Sequence, residues 1–303
     1  MSGVITTGNH PKLLWPGIKS LFGNKYSEHD KEYTELFDIM TSDRAYEEIQ
    51  ETTGFGLVPV KPQGSASEYD SHAQGATSRF IHTAYSLGYI VTREELADNL
   101  YEEVSRQRAT SLAFSANQTR ENVGAQVYNR AFNTSYTGAD GVTLLNSAHP
   151  DATASTQSNI LATAADFNEA SLEDLTIQIM QAKNSRNLNV SLKPTVLIGA
   201  VQQVYEFERV LASTLQNDTA NNSINALRST GAVPRAIVNH YLTDSDAWFL
   251  RTNAPEGLAW FDREMIDFTR DKDFDTDNAK AKMYMRFSAG WSDWRGLFGT
   301  PGA

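Results

Sequence analysis

Four aspartates at alternate positions, Asp271, Asp273, Asp275 and Asp277, are the most chemically suggestive run in the sequence. Carboxylates spaced this way converge on a hard divalent cation when a loop wraps around it. Read as a calcium loop opening at Asp271, the run has Thr276 where the sharp turn requires glycine and Lys282 where the bidentate glutamate belongs. It therefore reads first as a solvated or intersubunit charge cluster. Together with His240, which stands near Asn239 and Asp244, the same carboxylates would be the material of a metal-dependent hydrolase. His149, before Pro150, is the other histidine with polar neighbours. Neither has a partner at ligand spacing, so a structural role is expected of both.

Other chemistry is absent by residue type. Gly54-Phe55-Gly56 is followed by Pro59 where a dinucleotide loop needs its third glycine, and it enters a strand pattern, not a helix. The phosphate loop G-x-x-x-x-G-K-S/T, the nucleophile elbow G-x-S-x-G and H-E-x-x-H do not occur. There are no cysteines, which removes disulfides, thiolate nucleophiles and thiolate metal sites. No nucleophile, base and orienting group come together, and the expectation is a protein that is not an enzyme and has no cofactor.

The elements that must position these residues suggest where function lies. With 303 residues, 40% of them apolar and 21% charged, the chain can bury a sizeable core in two or more lobes. Residues 1–9 have neither a basic nor an apolar signal region, and no run of eighteen apolar residues occurs, so neither secretion nor membrane spanning is expected. A net charge of -11 opposes nucleic-acid binding, yet suits a wall that surrounds a polyanion without gripping it.

Leu13, Leu14, Trp15, Ile18, Leu21 and Phe22, interrupted by Pro16-Gly17, predict short helical pieces on an arm. That arm docks either on its own core or on a neighbour. Phe55 to Lys61 reads as a strand, the stretch from Pro62 to Ser78 as a turn-rich tip, and Arg79 to Val91 as the return strand. In the return strand Arg79, Ile81, Thr83, Tyr85, Leu87 and Tyr89 share one face, and Phe80, His82, Ala84, Ser86 and Gly88 the other. An isolated ribbon is marginal in water, so it must lie on something. Thr92 and Glu95 form a T-x-x-E capping box, after which one helical pattern continues to Phe132, about 60 Å if unbroken. Arg106, Arg108, Arg120 and Arg130 on it are expected to be solvated or intersubunit charges. Ser171 with Asp174 predicts a second capped helix burying Leu172, Leu175, Ile179 and Ala182. A buried strand is expected at Pro194–Gly199, then a helix over Val201–Ser213. Strands at Ala236–Tyr241, Ala247–Leu250, Gly257–Phe261 and Ala279–Ala289 follow, the last burying Met283, Met285 and Phe287. Helices and strands mix without βαβ repetition, which makes the class α+β.

Several strings in this order resemble the major capsid proteins of tailed bacteriophages, with their Hong Kong 97-like fold: Leu14-Trp15-Pro16-Gly17-Ile18, Thr53-Gly54-Phe55-Gly56-Leu57, Ile90-Val91-Thr92-Arg93-Glu94, Lys193-Pro194-Thr195-Val196-Leu197-Ile198, Asn239-His240-Tyr241-Leu242-Thr243-Asp244, Ala247-Trp248-Phe249 and Gly290-Trp291-Ser292-Asp293-Trp294-Arg295-Gly296. The likeness covers nearly the whole chain. It implies an N-terminal arm (1–50), an extended β-hairpin loop (51–91), and a peripheral lobe with a long spine helix (92–150). An axial lobe (151–264) and a returning peripheral segment (265–303) complete it. It further implies hexamers and pentamers of this chain closing an icosahedral head around double-stranded DNA, assembled in a bacterial cytoplasm. Because only about fifty residues precede the loop, a separate scaffolding protein is the expected helper. A portal and a decoration protein are the other implied partners, and an encapsulin-like compartment is the alternative use of the same fold. Some members join a loop lysine to a neighbour's asparagine. Lys61 lies in the loop, but no asparagine follows Asn278, so no such bond is expected. Trp15, Lys61, Glu68, Tyr69, Arg79, Arg106, Arg108, Asp273 and Asp275 are the expected intersubunit contacts.

Overall fold

The computed structural model describes residues 10–97, 101–151, 155–216, 223–273 and 275–303, the side chains of 10–17, 96, 97 and 101–104 excepted. Along the chain run α1 (His10–Glu28), α2 (Tyr33–Leu36), β1 (Asp38–Thr41), β2 (Tyr46–Thr52), β3 (Gln74–Ile81), β4 (Thr83–Val91), α3 (Arg93–Ala97) and α4 (Tyr101–Asn129). Then come β5 (His149–Pro150), β6 (Thr156–Gln157), α5 (Glu169–Met180), β7 (Pro194–Ala200), α6 (Val204–Ala212), α7 (Ala226–Thr230), β8 (Ala236–Asn239), β9 (Trp248–Thr252), β10 (Leu258–Lys272), β11 (Ala279–Trp291) and β12 (Leu297–Thr300).

The first sheet has the order β1-β10-β11-β4, β1 parallel to β10 and the other pairs antiparallel. Along β11 the period-two pattern does what the sequence predicts: Met283, Met285 and Phe287 are buried. They join Trp260 and Phe268 of β10 in a core with Ile18 and Phe22 of α1 and Ala109, Leu112, Ala113 and Ala116 of α4. The alanines let α4 lie close to the sheet. Phe22 stacks on Phe268 with centroids 4.7 Å apart, so the described part of the arm docks on its own chain. Pro16-Gly17 does not interrupt α1. Ile18 and Phe22, one turn apart on its buried face, hold the helix against the core beyond the proline.

The single helix expected after Thr92 would span residues 98–100, which lie outside the described residues. Thr92 Oγ1 does accept the Glu95 N–H at 3.3 Å, but the Glu95 carboxylate is clamped by Arg108 at 2.9 and 3.2 Å. Thirteen residues of continuous helix would separate those two by about 20 Å. α3 therefore does not lie on the straight extension of α4, and α4, with 29 residues, is about 43 Å long. A second correction concerns the ribbon. Its first strand is β2, paired antiparallel with β3, whereas residues 53–73 form no strand. The return strand is split at His82: β3 belongs to the ribbon and β4 to the four-stranded sheet. Its faces alternate as predicted, but each is covered over only half its length. Phe80 packs with Ala259, Phe261, Met40 and Ile49, while Tyr85 and Tyr89 reach the main core.

The second sheet, β12-β9-β7-β8, is buried on both faces. Val196, Ile198 and Phe249 meet the first core; Leu197, Trp248, Leu250 and Phe298 meet a second core under α5, α6 and α7. This two-sided burial explains the continuous apolar run from Pro194. Leu172, Leu175 and Ile179 of α5 are fully buried and Ala182 nearly so, as expected. The cap, however, is Asn168 with Ser171 in a reciprocal box, three residues earlier than Ser171 with Asp174. Asn offers a side-chain oxygen at N-cap as readily as Ser.

Candidate functional site

The aspartate run lies at the β10–β11 turn, where Asp273 and Asp277 are already engaged. Asp273 pairs with Lys280 at 2.5 Å, and Asp277 with Lys272 at 2.7 Å and Arg93 at 2.8 Å. The Lys280 contact holds the Asp273 carboxyl below its usual range, and Lys272 does the same for Asp277. The Asp275 N–H donates to Asp273 Oδ1 at 3.3 Å. Among the described residues no group of three or more His, Asp or Glu side chains is placed to hold a metal ion. His240 is elsewhere, beyond β8, with Nδ1 2.6 Å from Glu32 Oε1. His149 is wholly buried between Asp140 and Asn159, 2.7 and 3.1 Å from its two nitrogens, and stacks on Trp294 at 4.4 Å. The hydrolase components are thus dispersed, and both histidines are engaged by neighbouring side chains.

Inside the molecule, α4 carries a polar node that the sequence reading placed on the surface. Arg120 is 2% exposed. Its Nη2 donates to both oxygens of Asp262 at 2.7 and 2.8 Å, and its guanidinium lies over Tyr33, Trp260 and Phe287. Trp260 Nε1 donates to the same carboxylate at 3.0 Å. The adjacent Glu121, also buried, accepts the Tyr33 N–H at 2.9 Å and so caps α2. Burial pushes its carboxyl up to about 7; the Tyr33 N–H opposes this and the Glu32 carboxylate adds to it. This node fixes α4, α2 and β10 relative to one another. Arg108 is likewise spent within the chain, on Glu95 and on Ile90 O at 3.1 Å.

Residues 53–73 are different. The base of this segment is held by polar contacts: Thr53 N to Ala73 O at 3.1 Å, Ala73 N to Thr53 Oγ1 at 2.9 Å, and Gly56 N to Asp70 Oδ2 at 2.9 Å. The Gly56 and Ser71 N–H groups hold the Asp70 carboxyl below its usual range. Arg186 reaches Asp70 at 3.5 Å and Ser71 O, and Glu51 at the end of β2 accepts from Ser185 Oγ at 2.9 Å. On this polar base stands an apolar run with almost no cover: Leu57, Val58 and Val60 are 82%, 93% and 93% exposed, and Tyr69 97%. Phe55 touches His72 and is 61% exposed. Scattered exposed apolar side chains are ordinary; a contiguous run pinned away from its own core marks a contact surface.

Of the expected contact residues, Lys61, Glu68 and Tyr69 stand on this exposed segment. Arg79 pairs across the ribbon with Glu48 at 2.6 Å and lies over Tyr46. Arg106 is exposed on α4, and Asp275 at the β10–β11 turn. The side chain of Trp15 lies outside the described residues. Phe55, Leu57, Val58 and Val60 were read as an ordinary strand. The signal against that was present: Pro59 interrupts the run, and no polar alternation marks a solvent face.

Solved structures that share this architecture include capsids and a virus-like particle. The model superposes on a virus-like particle protein from Pyrococcus furiosus with a TM-score of 0.54 at 9% identity, over 93% of this chain and 97% of that one. It matches the capsid of Myoviridae phage XM1 with a TM-score of 0.55 at 10% identity, over 88% and 90%. For the capsid of cyanophage P-SCSP1u the values are 0.54 and 10%, over 90% and 88%. No curated protein sequence matches. The fold is the Hong Kong 97-like capsid fold. The family model described as phage capsid protein matches residues 77–299, and the chain belongs to that family.

Proposed function

We propose that this chain is the subunit of a phage head, building hexamers and pentamers that close an icosahedral shell around double-stranded DNA. Family membership makes it a structural capsid protein of the virion and not an enzyme. The exposed apolar run over 55–60 supports the rest most directly, because a subunit with its own core complete still presents side chains that only another surface can cover. In this reading residues 51–91 clasp a neighbouring copy. Residues 92–150 and 265–303 form the peripheral lobe around α4, and 151–264 the axial lobe at the capsomer centre. Lys61, Glu68 and Tyr69 are loop contacts, while Trp15, Arg79, Arg106, Arg108, Asp273 and Asp275 serve other edges. Each contact is modest, and closure of a symmetric shell multiplies them.

The net charge of -11 suits a wall that encloses DNA without sequence-specific binding. A separate scaffolding protein, a portal and a decoration protein are the proposed helpers, with assembly in the host cytoplasm. An encapsulin-like compartment is the second reading, favoured by the likeness to the Pyrococcus furiosus particle; the family match over 77–299 weighs for the phage shell. Replacing Leu57, Val58 and Val60 together by serine tests the clasp. The expected result is a subunit of unchanged denaturation midpoint that no longer forms particles by light scattering. Normal particles from that variant would overturn the role given to the loop.

A further inference from the structure

β3 and β4 are one run of chain shared between two sheets, and His82 alone separates them. The attitude of the ribbon to the four-stranded sheet is set where the run changes partners. His82 is 4% exposed there, and both ring nitrogens are engaged. Nδ1 is 3.0 Å from Ser288 Oγ on β11, and Nε2 is 3.0 Å from Ser42 Oγ, just past β1. Ser42 Oγ in turn donates to Glu47 Oε1 on β2 at 2.7 Å and accepts the Arg44 N–H at 3.1 Å. The Ser42 N–H donates to Asp262 O on β10 at 3.0 Å. One side-chain chain thus ties the ribbon to the sheet through the joint.

The protons in this chain are determined. A serine hydroxyl has one hydrogen to give. Ser42 gives it to Glu47, so it can only accept from the imidazole, and Nε2 carries the ring hydrogen. Nδ1 is left bare, as acceptor for the Ser288 hydroxyl. The charged groups around the ring are Glu47 on β2, with Arg44 3.8 Å from it; Arg286 on β11, whose Nε donates to His82 O at 3.4 Å; and Arg263 on β10, 4.0 Å from Asp43. Among the described residues Arg263 Nε has no acceptor. The Phe261 ring covers the imidazole at 6.3 Å. Burial, followed by the Arg286 charge, pushes the imidazole below its ordinary range; Glu47 opposes and Arg263 adds.

We propose that the chain Ser288–His82–Ser42–Glu47 is an acid-released lock on the ribbon: neutral His82 fixes β2 and β3 against the sheet, and its protonation loosens the ribbon at residue 82. A proton on Nδ1 turns the Ser288 hydroxyl from donor to acceptor and places a third cation beside Arg263 and Arg286 at a buried site. The far end of the ribbon, where Glu51 meets Ser185 and Arg295, remains tethered, so the ribbon loosens at the joint and does not detach. Nothing in this device needs a neighbouring subunit.

Hydrogen exchange of the full chain between pH 8 and pH 5, corrected for intrinsic rates, tests it. In the unsubstituted protein, protection of β2 and β3 amides should fall as pH drops below the ordinary histidine range of about 6.5, by up to about tenfold per pH unit for one proton. Amides of β11 paired with β10 should hold. His82→Gln supplies an N–H and a carbonyl but cannot titrate, and its ribbon protection should be flat over this range. Ser288→Ala removes the hydroxyl partner of Nδ1 from both protonation states, and should move the midpoint of the loss. Flat protection in the unsubstituted protein, or the same pH-dependent loss in His82→Gln, overturns the lock. Should His82→Gln fold poorly, an unmoved midpoint in Ser288→Ala overturns it alone.

Discussion

Glu121→Gln is a substitution whose effect can be worked from the structure. The Glu121 carboxyl sits among buried side chains of α4 and α2, and its folded-state value is raised from 4.5 to about 7, chiefly by burial. The folded chain therefore holds this proton over a range in which the unfolded chain has released it. Stability from the group is present in full below about 4.5 and lost as pH rises through about 7. At about 1.4 kcal/mol per pH unit, the raised value corresponds to roughly 3 kcal/mol between those limits. Glutamine keeps an oxygen to accept the Tyr33 N–H and has no charge to bury. Relative to the unsubstituted chain, the variant should gain about 3 kcal/mol in going from pH 4 to pH 8, whatever its offset at pH 4. Urea denaturation of both proteins at half-unit pH intervals measures this, since groups common to both cancel in the difference. A difference that is flat with pH, or that grows toward acid, would refute the reasoning.

Other consequences follow from the same interior and surface. Arg120→Ala strands the Asp262 carboxylate and should cost about 3–5 kcal/mol in a urea melt, whereas replacing Arg120 by Met and Asp262 by Leu together should recover most of that loss. Asp273→Ala with Asp275→Ala should leave calcium titration calorimetry unchanged, without saturable heat before or after, because Lys280 already neutralises Asp273.

Where burial follows a strict period, the sequence was legible. Met283, Met285 and Phe287 on β11, and Leu172, Leu175 and Ile179 on α5, announce their faces because one side of each element meets a core. The errors have physical causes. β2 reads Tyr46-Glu47-Glu48-Ile49-Gln50-Glu51-Thr52, so charged that it suggests solvent, and it is a strand only because β3 lies beside it. Arg120 looks like a surface charge because its partner, Asp262, is 142 residues away. The angle between α3 and α4 follows Glu95 meeting Arg108, a tertiary contact with no local signature. The apolar run at 55–60 reads as strand by residue type, since β-propensity says nothing about whether a pairing strand exists.

Electron cryomicroscopy of the intact chain, purified alone or expressed with its genomic neighbours, tests the central claim most directly. The account predicts closed shells or hexameric and pentameric capsomers in which residues 55–60 of one copy are covered by the next. A chain that stays monomeric under all assembly conditions, with that run still bare, would contradict it.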